Sequence, residues 1–302
     1  MRFLVNLPHI TPERQKLTTP EALVEIARAI EAGGFDACGI SDHPFPVLDG
    51  SLVHHTWDPF TVLAHVAGAT ERIKLATLTA VLPYRNPFLL ANAAKTLDHV
   101  SAGRLILGVA SGYHRPEFDA LGASFEDRGR RTDEALEALA AAWGGDPVFA
   151  AGHDWVARGN TLRPTPPSQP LPLWVGGNGK RAIARAARFG ECWAPVVKDA
   201  VGASTISSVA GGSAADLKKK IATLLDLRAR EAGGRPIDIC LLRGSGGWAT
   251  ADPSPEVDEE IAALDEVGVT WVAFHPVGTE VAEVVERIGR WAEAYGDPAP
   301  AG

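Results

Sequence analysis

Cysteine is scarce: the 302-residue chain has three, Cys38, Cys192 and Cys240. They lie far apart in apolar, strand-like runs and lack the C-x-x-C spacing of a zinc or redox site. They read as reduced core thiols, so neither a disulfide framework nor a cysteine metal centre is expected. A carboxylate-rich metal site is not indicated either. Basic runs are also missing. Lys and Arg number 29 against 37 Asp and Glu, for a net charge of −8. The one lysine triplet, Lys218 to Lys220, falls inside a helical pattern as a solvated face, which leaves no nucleic-acid surface. No apolar run approaches the ~20 residues needed to cross a bilayer. The opening MRFLVNLPHITPE is broken by proline too early for a secretory leader, so a cytoplasmic protein with no membrane partner is expected. Absent too are a G-x-G-x-x-G after the first strand, a G-K-[ST], a G-x-S-x-G and any serine or cysteine triad. These absences weigh against a dinucleotide fingerprint, a Walker loop and a hydrolase elbow.

What is present is a unit repeated eight times: an apolar strand-like run, a loop, then a helical pattern. The runs are Phe3–Leu7, Phe35–Ile40, Ile73–Leu82, Arg104–Ala110, Leu171–Val175, Glu191–Val197, Ile237–Leu242 and Thr270–His275. Helix starts are marked by Pro20, Asp58-Pro59, Asn86-Pro87, the capping box Ser213-Ala-Ala-Asp216 and Ser254-Pro255, and a stop by Gly33-Gly34. Strands apolar on both faces that alternate with amphipathic helices imply a parallel sheet. Eight such units favour a closed (β/α)8 barrel over an open doubly wound sheet, in one domain over residues 1–295 with a frayed tail at 296–302. Residues 144–170, long and proline-rich, read as an insertion before strand five, with a short hairpin, entering from the amino-terminal face.

In such a barrel the chemistry sits where the strands end at their carboxyl side. After strand two stands Ser41-Asp42-His43-Pro44, a pair suited to acid–base work and equally to a hydrogen-bonded strand-end turn. After strand three come Thr77 and Thr79-Ala80-Val81-Leu82-Pro83, small and hydroxylated enough to admit a flat ring. Strand four ends in Gly108-Val-Ala110-Ser111-Gly112-Tyr113, where glycine permits close backbone approach. Strand five ends in Gly176-Gly177-Asn178-Gly179-Lys180-Arg181, a glycine-rich loop into a helix with two cations, fit for phosphate or for a plain turn. His65 and His99 read as helix-surface groups, and His275 as pointing to the barrel top.

Together these motifs resemble the luciferase-like monooxygenases, in the branch of coenzyme F420-dependent oxidoreductases. The resemblance is carried by Gly34-Phe35-Asp36, Ser41-Asp42-His43, Thr79-Ala-Val81-Leu-Pro83, Arg85-Asn-Pro87, Ser101-Ala-Gly103-Arg104, Gly108 to Tyr113, Glu117-Phe118, Asp127-Arg128, Pro172-Leu-Trp174-Val-Gly-Gly177 and Ala186-Ala-Arg188-Phe-Gly190. It implies a cofactor at the top of the barrel, its ring on a bulge after strand three near Thr79-Ala80-Val81, where a non-proline cis peptide is often found. It implies His43 beside the reacting edge, with Asp42 as its hydrogen-bonding neighbour or a cofactor ligand. Ser41, Thr79, Ala80, Val81, Ala110, Ser111, Gly112, Gly176, Gly177 and Asn178 would hold the cofactor. The implied activity is hydride transfer between F420 and a small organic substrate. FMN-dependent monooxygenation is the alternative, and a barrel that binds without turnover is a third reading. A homodimer is implied as well. One departure is Gly190-Glu191-Cys192-Trp193, where the family has Gly-Asp-Gly-Trp, and Cys192 is expected to trim the cavity. Substrate choice falls to the loops Pro8–Thr19, Pro44–Trp57, Tyr113–Phe125 and Arg243–Pro253, with His9, His54, His55, Trp57, Tyr113, His114 and Trp248.

Overall fold

The computed structural model describes residues 1–48, 54–197, 214–243 and 252–297. Eight parallel strand positions close on themselves: β1 (Arg2–Asn6), β2 (Ala37–Ile40), β3 (Lys74–Thr77) with its continuation β4 (Ala80–Val81), β5 (Leu105–Ala110), β8 (Leu173–Gly176), β9 (Cys192–Ala194) with its continuation β10 (Val196–Val197), β11 (Asp238–Arg243) and β12 (Trp271–Phe274). Neighbours pair in that order, and β12 returns to β1 with Phe3 opposite Val272. This is the expected (β/α)8 barrel. Two of the expected runs are interrupted. The third breaks at residues 78–79, where the Leu78–Thr79 peptide is cis. The sixth breaks at Pro195, which has no N–H to give to a ladder.

The helices start where the sequence marks them. α1 (Pro20–Ala32) is capped by the Thr19 side chain, α2 (Pro59–Ala67) by Asp58, and α3 (Pro87–Val100) by Asn86. α8 (Pro255–Glu266) is capped by Ser254. α4 (Arg115–Ala120) and α5 (Arg128–Trp143) follow β5, α6 (Lys180–Phe189) follows β8, α7 (Ala214–Ala232) precedes β11, and α9 (Val281–Tyr295) closes the ring. Ser213 of the proposed capping box and Trp248 lie outside the described residues, as do residues 298–302. Among the described residues no helix is long and apolar enough to cross a membrane.

Alternation along the strands divides the core in two. Outward residues such as Val5, Leu75, Leu107, Val175 and Val272 meet the apolar stripes of the helices. Inward residues, among them Leu4, Ala37, Ala76, Ile106, Trp174, Cys192, Cys240 and Trp271, fill the barrel. Cys192 therefore packs inside the barrel beside Trp174 and does not border the mouth, which corrects the expectation that it trims the cofactor cavity. All three cysteines are buried free thiols, and burial pushes the Cys38 thiol up to about 12. At the amino-terminal mouth a cavity of about 500 Å³ opens between Arg2, Asp238, Trp174 and Trp271.

Nearer the carboxyl ends the inward positions shrink to glycine. A side chain at Gly39 would collide with Leu78, one at Gly108 with the Thr77 carbonyl oxygen, and one at Gly176 would press on Thr79 at 3.1 Å. The space those three residues leave is taken by residues 77–79, which fold into the barrel as a bulge. The insertion before β8 does form a hairpin, β6 (Val148–Ala151) with β7 (Val156–Asn160). Its tip climbs along α5 to the carboxyl-terminal rim. There His153 N–H donates to Glu134 (2.9 Å), Asp154 pairs with Arg131 (2.7 Å), and Trp155 meets Phe88 edge-on at 5.0 Å.

Candidate active site

Asp42 and His43 follow each other at the end of β2 and serve different ends. The Asp42 carboxylate is buried under the bulge. It accepts from Val81 N–H (2.8 Å) and from both Arg85 Nη atoms (2.5 and 2.8 Å). A two-pronged guanidinium grip of this kind fixes orientation as well as charge. Asp42 thus anchors β4. The sequence reading made it the neighbour of His43 or a cofactor ligand; the carboxylate that holds His43 is instead Glu117, 74 residues away in α4.

Glu117 is fully buried. It accepts from His43 Nδ1 (3.0 Å), Phe45 N–H (3.2 Å) and the Tyr84 hydroxyl (3.3 Å). A carboxylate can only accept, so Nδ1 is the donor of this pair, which leaves Nε2 as the nitrogen turned toward the opening. Nε2 lies 3.3 Å from the Tyr113 hydroxyl. Burial, reinforced by the Glu117 charge, raises the Tyr113 phenol to about 12, and the same causes raise Tyr84 further. Both remain donors through the neutral range. The result is a chain of side-chain contacts, Tyr113 to His43 to Glu117. His114 is tied down separately, accepting from Val47 N–H at 3.2 Å.

Beside this chain lie the bulge and two glycine turns. β4 pairs with β5, with Ala80 opposite Val109 and Val81 opposite Ala110. Gly112 has φ +75°, and a side chain there would strike Val81 and Phe118 at 2.7 and 2.9 Å. Ser111 Oγ accepts from Arg185 Nη1 (2.9 Å) and Thr132 (3.0 Å). Gly177 adopts φ +117°, and Gly179 opens α6 without a side-chain cap, which leaves helix-start amides for an anion. Among the described residues the buried Arg131 Nε has no hydrogen-bond partner. Small residues, free amides and an unmet cationic donor fit a flat ring with an anionic tail.

Two of the residues expected to hold the cofactor make contacts within the protein. Asn178 clasps the β10 backbone through Val196 O (2.6 Å) and Val196 N–H (2.9 Å). Ser41 Oγ meets His9 Nε2 at 3.1 Å. Lys180 and Arg181 are exposed, and it is buried Arg185 that reaches Ser111. The sequence reading missed Arg185, although an arginine inside the apolar stripe Ala182-Ile183-Ala186 is a visible signal. It quoted Glu117 only among the family motifs, since a partner 74 residues from His43 leaves no local spacing. His65 and His99 bond to the backbone carbonyls of Pro20 and Thr165 on the surface.

Residues 1–229 match the luciferase-like monooxygenase family. The chain belongs to that family. An F420-dependent glucose-6-phosphate dehydrogenase of Beutenbergia cavernae is 28% identical, over 89% of this chain and 91% of its own. The oxygenase component of a flavin-dependent trigonelline monooxygenase of Acinetobacter baylyi is 28% identical over 58% of this chain and 48% of its own. An uncharacterized Mycobacterium tuberculosis protein is 28% identical over 55% of this chain, and the match spans 62% of that relative's length. Among solved structures, an F420-dependent secondary alcohol dehydrogenase superposes over 100% of this chain and 99% of its own, with TM-score 0.74 and 17% identity. That likeness speaks for the shared barrel.

Proposed function

We propose that this luciferase-like protein transfers a hydride between coenzyme F420 and a small organic substrate, with His43 moving the accompanying proton. The observation that carries the reading is the Tyr113–His43–Glu117 chain at the ends of β2 and β5, set beside the bulge and glycine turns. When bound, F420 supplies two-electron chemistry at its ring. The bulge Thr79-Ala80-Val81 and the turn Ala110-Ser111-Gly112 would cradle that ring. Gly176, Gly177 and the α6 amides would hold its phosphate, with Arg131 as a further donor.

In the oxidative direction, His43 Nε2 takes the proton from a substrate hydroxyl as the hydride leaves the carbon. Glu117 holds the ring in the tautomer that leaves Nε2 free and stabilises the imidazolium that forms. Tyr113 donates to the substrate oxygen or to Nε2. Asp42 takes no part in this transfer and keeps the bulge in register.

F420 is placed ahead of FMN because the similarity to the Beutenbergia enzyme runs nearly end to end, whereas that to the Acinetobacter oxygenase covers 58% of this chain. The test is a fluorescence titration of the purified protein with F420 and, separately, with FMN. Tight binding of F420 alone is the expected result. Binding of FMN alone, with oxygen consumption when the flavin is reduced, would replace this reading with monooxygenation.

A further inference from the structure

We infer that Arg14 and the stacked rings of His9 and His54, with His275 at the end of β12 beside them, form a site for an oxyanion, a carboxylate or phosphate group of the substrate. The inference deepens the function proposed above and rests on it for the claim that the bound group belongs to a substrate.

The quadrant is built almost wholly of imidazoles. His9 and His54 stack face to face, with ring centroids 3.8 Å apart and planes within 8°. His275 lies 5.4 Å from His9, and His43 lies 5.7 Å from His54. No acid bonds either stacked ring among the described residues: His9 reaches Ser41 Oγ at 3.1 Å, and His54 Nε2 is buried with no partner at all. Arg14 sits in the 3-10 turn Pro12–Thr18 and is half-buried. Among the described residues its guanidinium makes no hydrogen bond or ion pair, and Glu13 is the acid that faces it.

An unpaired guanidinium whose charge is felt at both stacked rings, and an orphaned imidazole nitrogen in that stack, make an incomplete arrangement. Buried polar groups are ordinarily satisfied, and a guanidinium fork matches the two oxygens of a carboxylate or phosphate. Metal is a poor alternative, because parallel rings do not converge their lone pairs. Among the described residues no group of three or more His, Cys, Asp or Glu side chains could hold an ion.

The electrostatics agree. Burial, then the neighbouring His43, His275, His55 and Arg14, lowers His54 to about 4, and burial with His54, His275, His43 and Arg14 lowers His9. Both rings are therefore neutral at pH 7 until a negative charge arrives. An oxyanion reverses the sign of the local field and draws protons onto the stack. Since His43 is the ring next to His54, a substrate anchored there would present its reacting carbon toward the Tyr113–His43 pair.

The test follows the histidine Cε1–H signals by NMR in the intact protein during titration with inorganic phosphate and, separately, acetate, at constant ionic strength set with chloride. F420 binding is measured by fluorescence on the same samples. Saturable movement of the His9 and His54 signals is expected. His54 should titrate at least about one unit higher with anion bound. Arg14→Gln should weaken the response about tenfold or more, and Arg14→Lys should recover part of it. Phosphate response alone, or acetate alone, would assign the head group. Silent His9 and His54 signals with both anions would overturn the inference, as would undiminished binding in Arg14→Gln, which would place the anion at the α6 turn. Loss of F420 binding with the oxyanion response intact would refute the cofactor reading and leave the oxyanion site standing.

Discussion

The two mouths of this barrel are built from different chemistry. At the amino-terminal mouth the polar groups are permanently charged. Arg2 pairs with Asp238 and lies 4.4 Å over the Trp271 ring, while Asp238 also accepts from Thr270 (3.0 Å) and Trp271 (3.3 Å). At the carboxyl-terminal mouth the Asp42–Arg85 pair holds the bulge, and beside it stand imidazoles and phenols, with buried Glu117 bonded to His43. The imidazoles His9, His43, His54, His114 and His275 are thus gathered at one end of the barrel axis, next to the Asp42–Arg85 pair, while an arginine, an aspartate and two tryptophans mark the other.

The sharpest way to break this contrast is at His43. His43→Ala should lower turnover about 10²–10⁴-fold with F420 binding retained, since proton transfer by a positioned side chain is worth that much. Glu117→Gln should cost about 10²-fold or more and distort the pH profile, because an amide NH₂ facing Nδ1 favours the wrong tautomer. Unchanged turnover in His43→Ala would remove the top mouth from the chemistry. Next in size is Arg85→Ala. It strands the buried Asp42 carboxylate and should destabilise the fold by about 3 kcal/mol in urea unfolding, with the bulge as the first casualty.

Smaller and graded is the response to acid. His54 titrates near 4 in the folded chain against 6.5 for a free imidazole. The unfolded state therefore binds more protons in that window, and stability falls as the pH drops from 6.5 toward 4. His54→Gln should flatten that part of a Tm-against-pH curve, and an unaltered slope would count against the buried stack. Arg2→Ala at the opposite mouth should cost only about 1 kcal/mol, the pair being part-exposed and Asp238 keeping two donors, with turnover unaffected. Smallest of all, thiol reagents should leave the folded enzyme untouched, because burial holds all three cysteines as protonated thiols.

The barrel was readable because its signals are local. Pro20, Asp58-Pro59, Asn86-Pro87 and Ser254-Pro255 each open a helix within a residue or two of where they stand. The expected bulge was legible through the family motif, and its cis bond falls at Leu78–Thr79, one residue upstream of the Thr79-Ala80-Val81 segment. What escaped was long-range pairing. Nothing near Asp42 announces Arg85 as its partner, and adjacency in the sequence made His43 the obvious but wrong choice. Glu117 and Arg185 act across 74 residues each, on His43 and Ser111, through contacts that exist only once the barrel has closed. The rise of the β6–β7 hairpin to the upper rim was likewise invisible, since its direction is set by packing along α5.

The glycines at 39, 108 and 176 carry one more implication. Their missing side chains and the inward fold at 77–79 are two halves of one shape. A methyl group gained at position 108 has nowhere to go while the bulge persists, and straightening the bulge with glycines still in place opens a hole. Neither step is tolerable first. Descendants of this chain are therefore locked into the bulge, and evolution is left to vary what surrounds it: the loops, the rim and the histidines of the upper mouth.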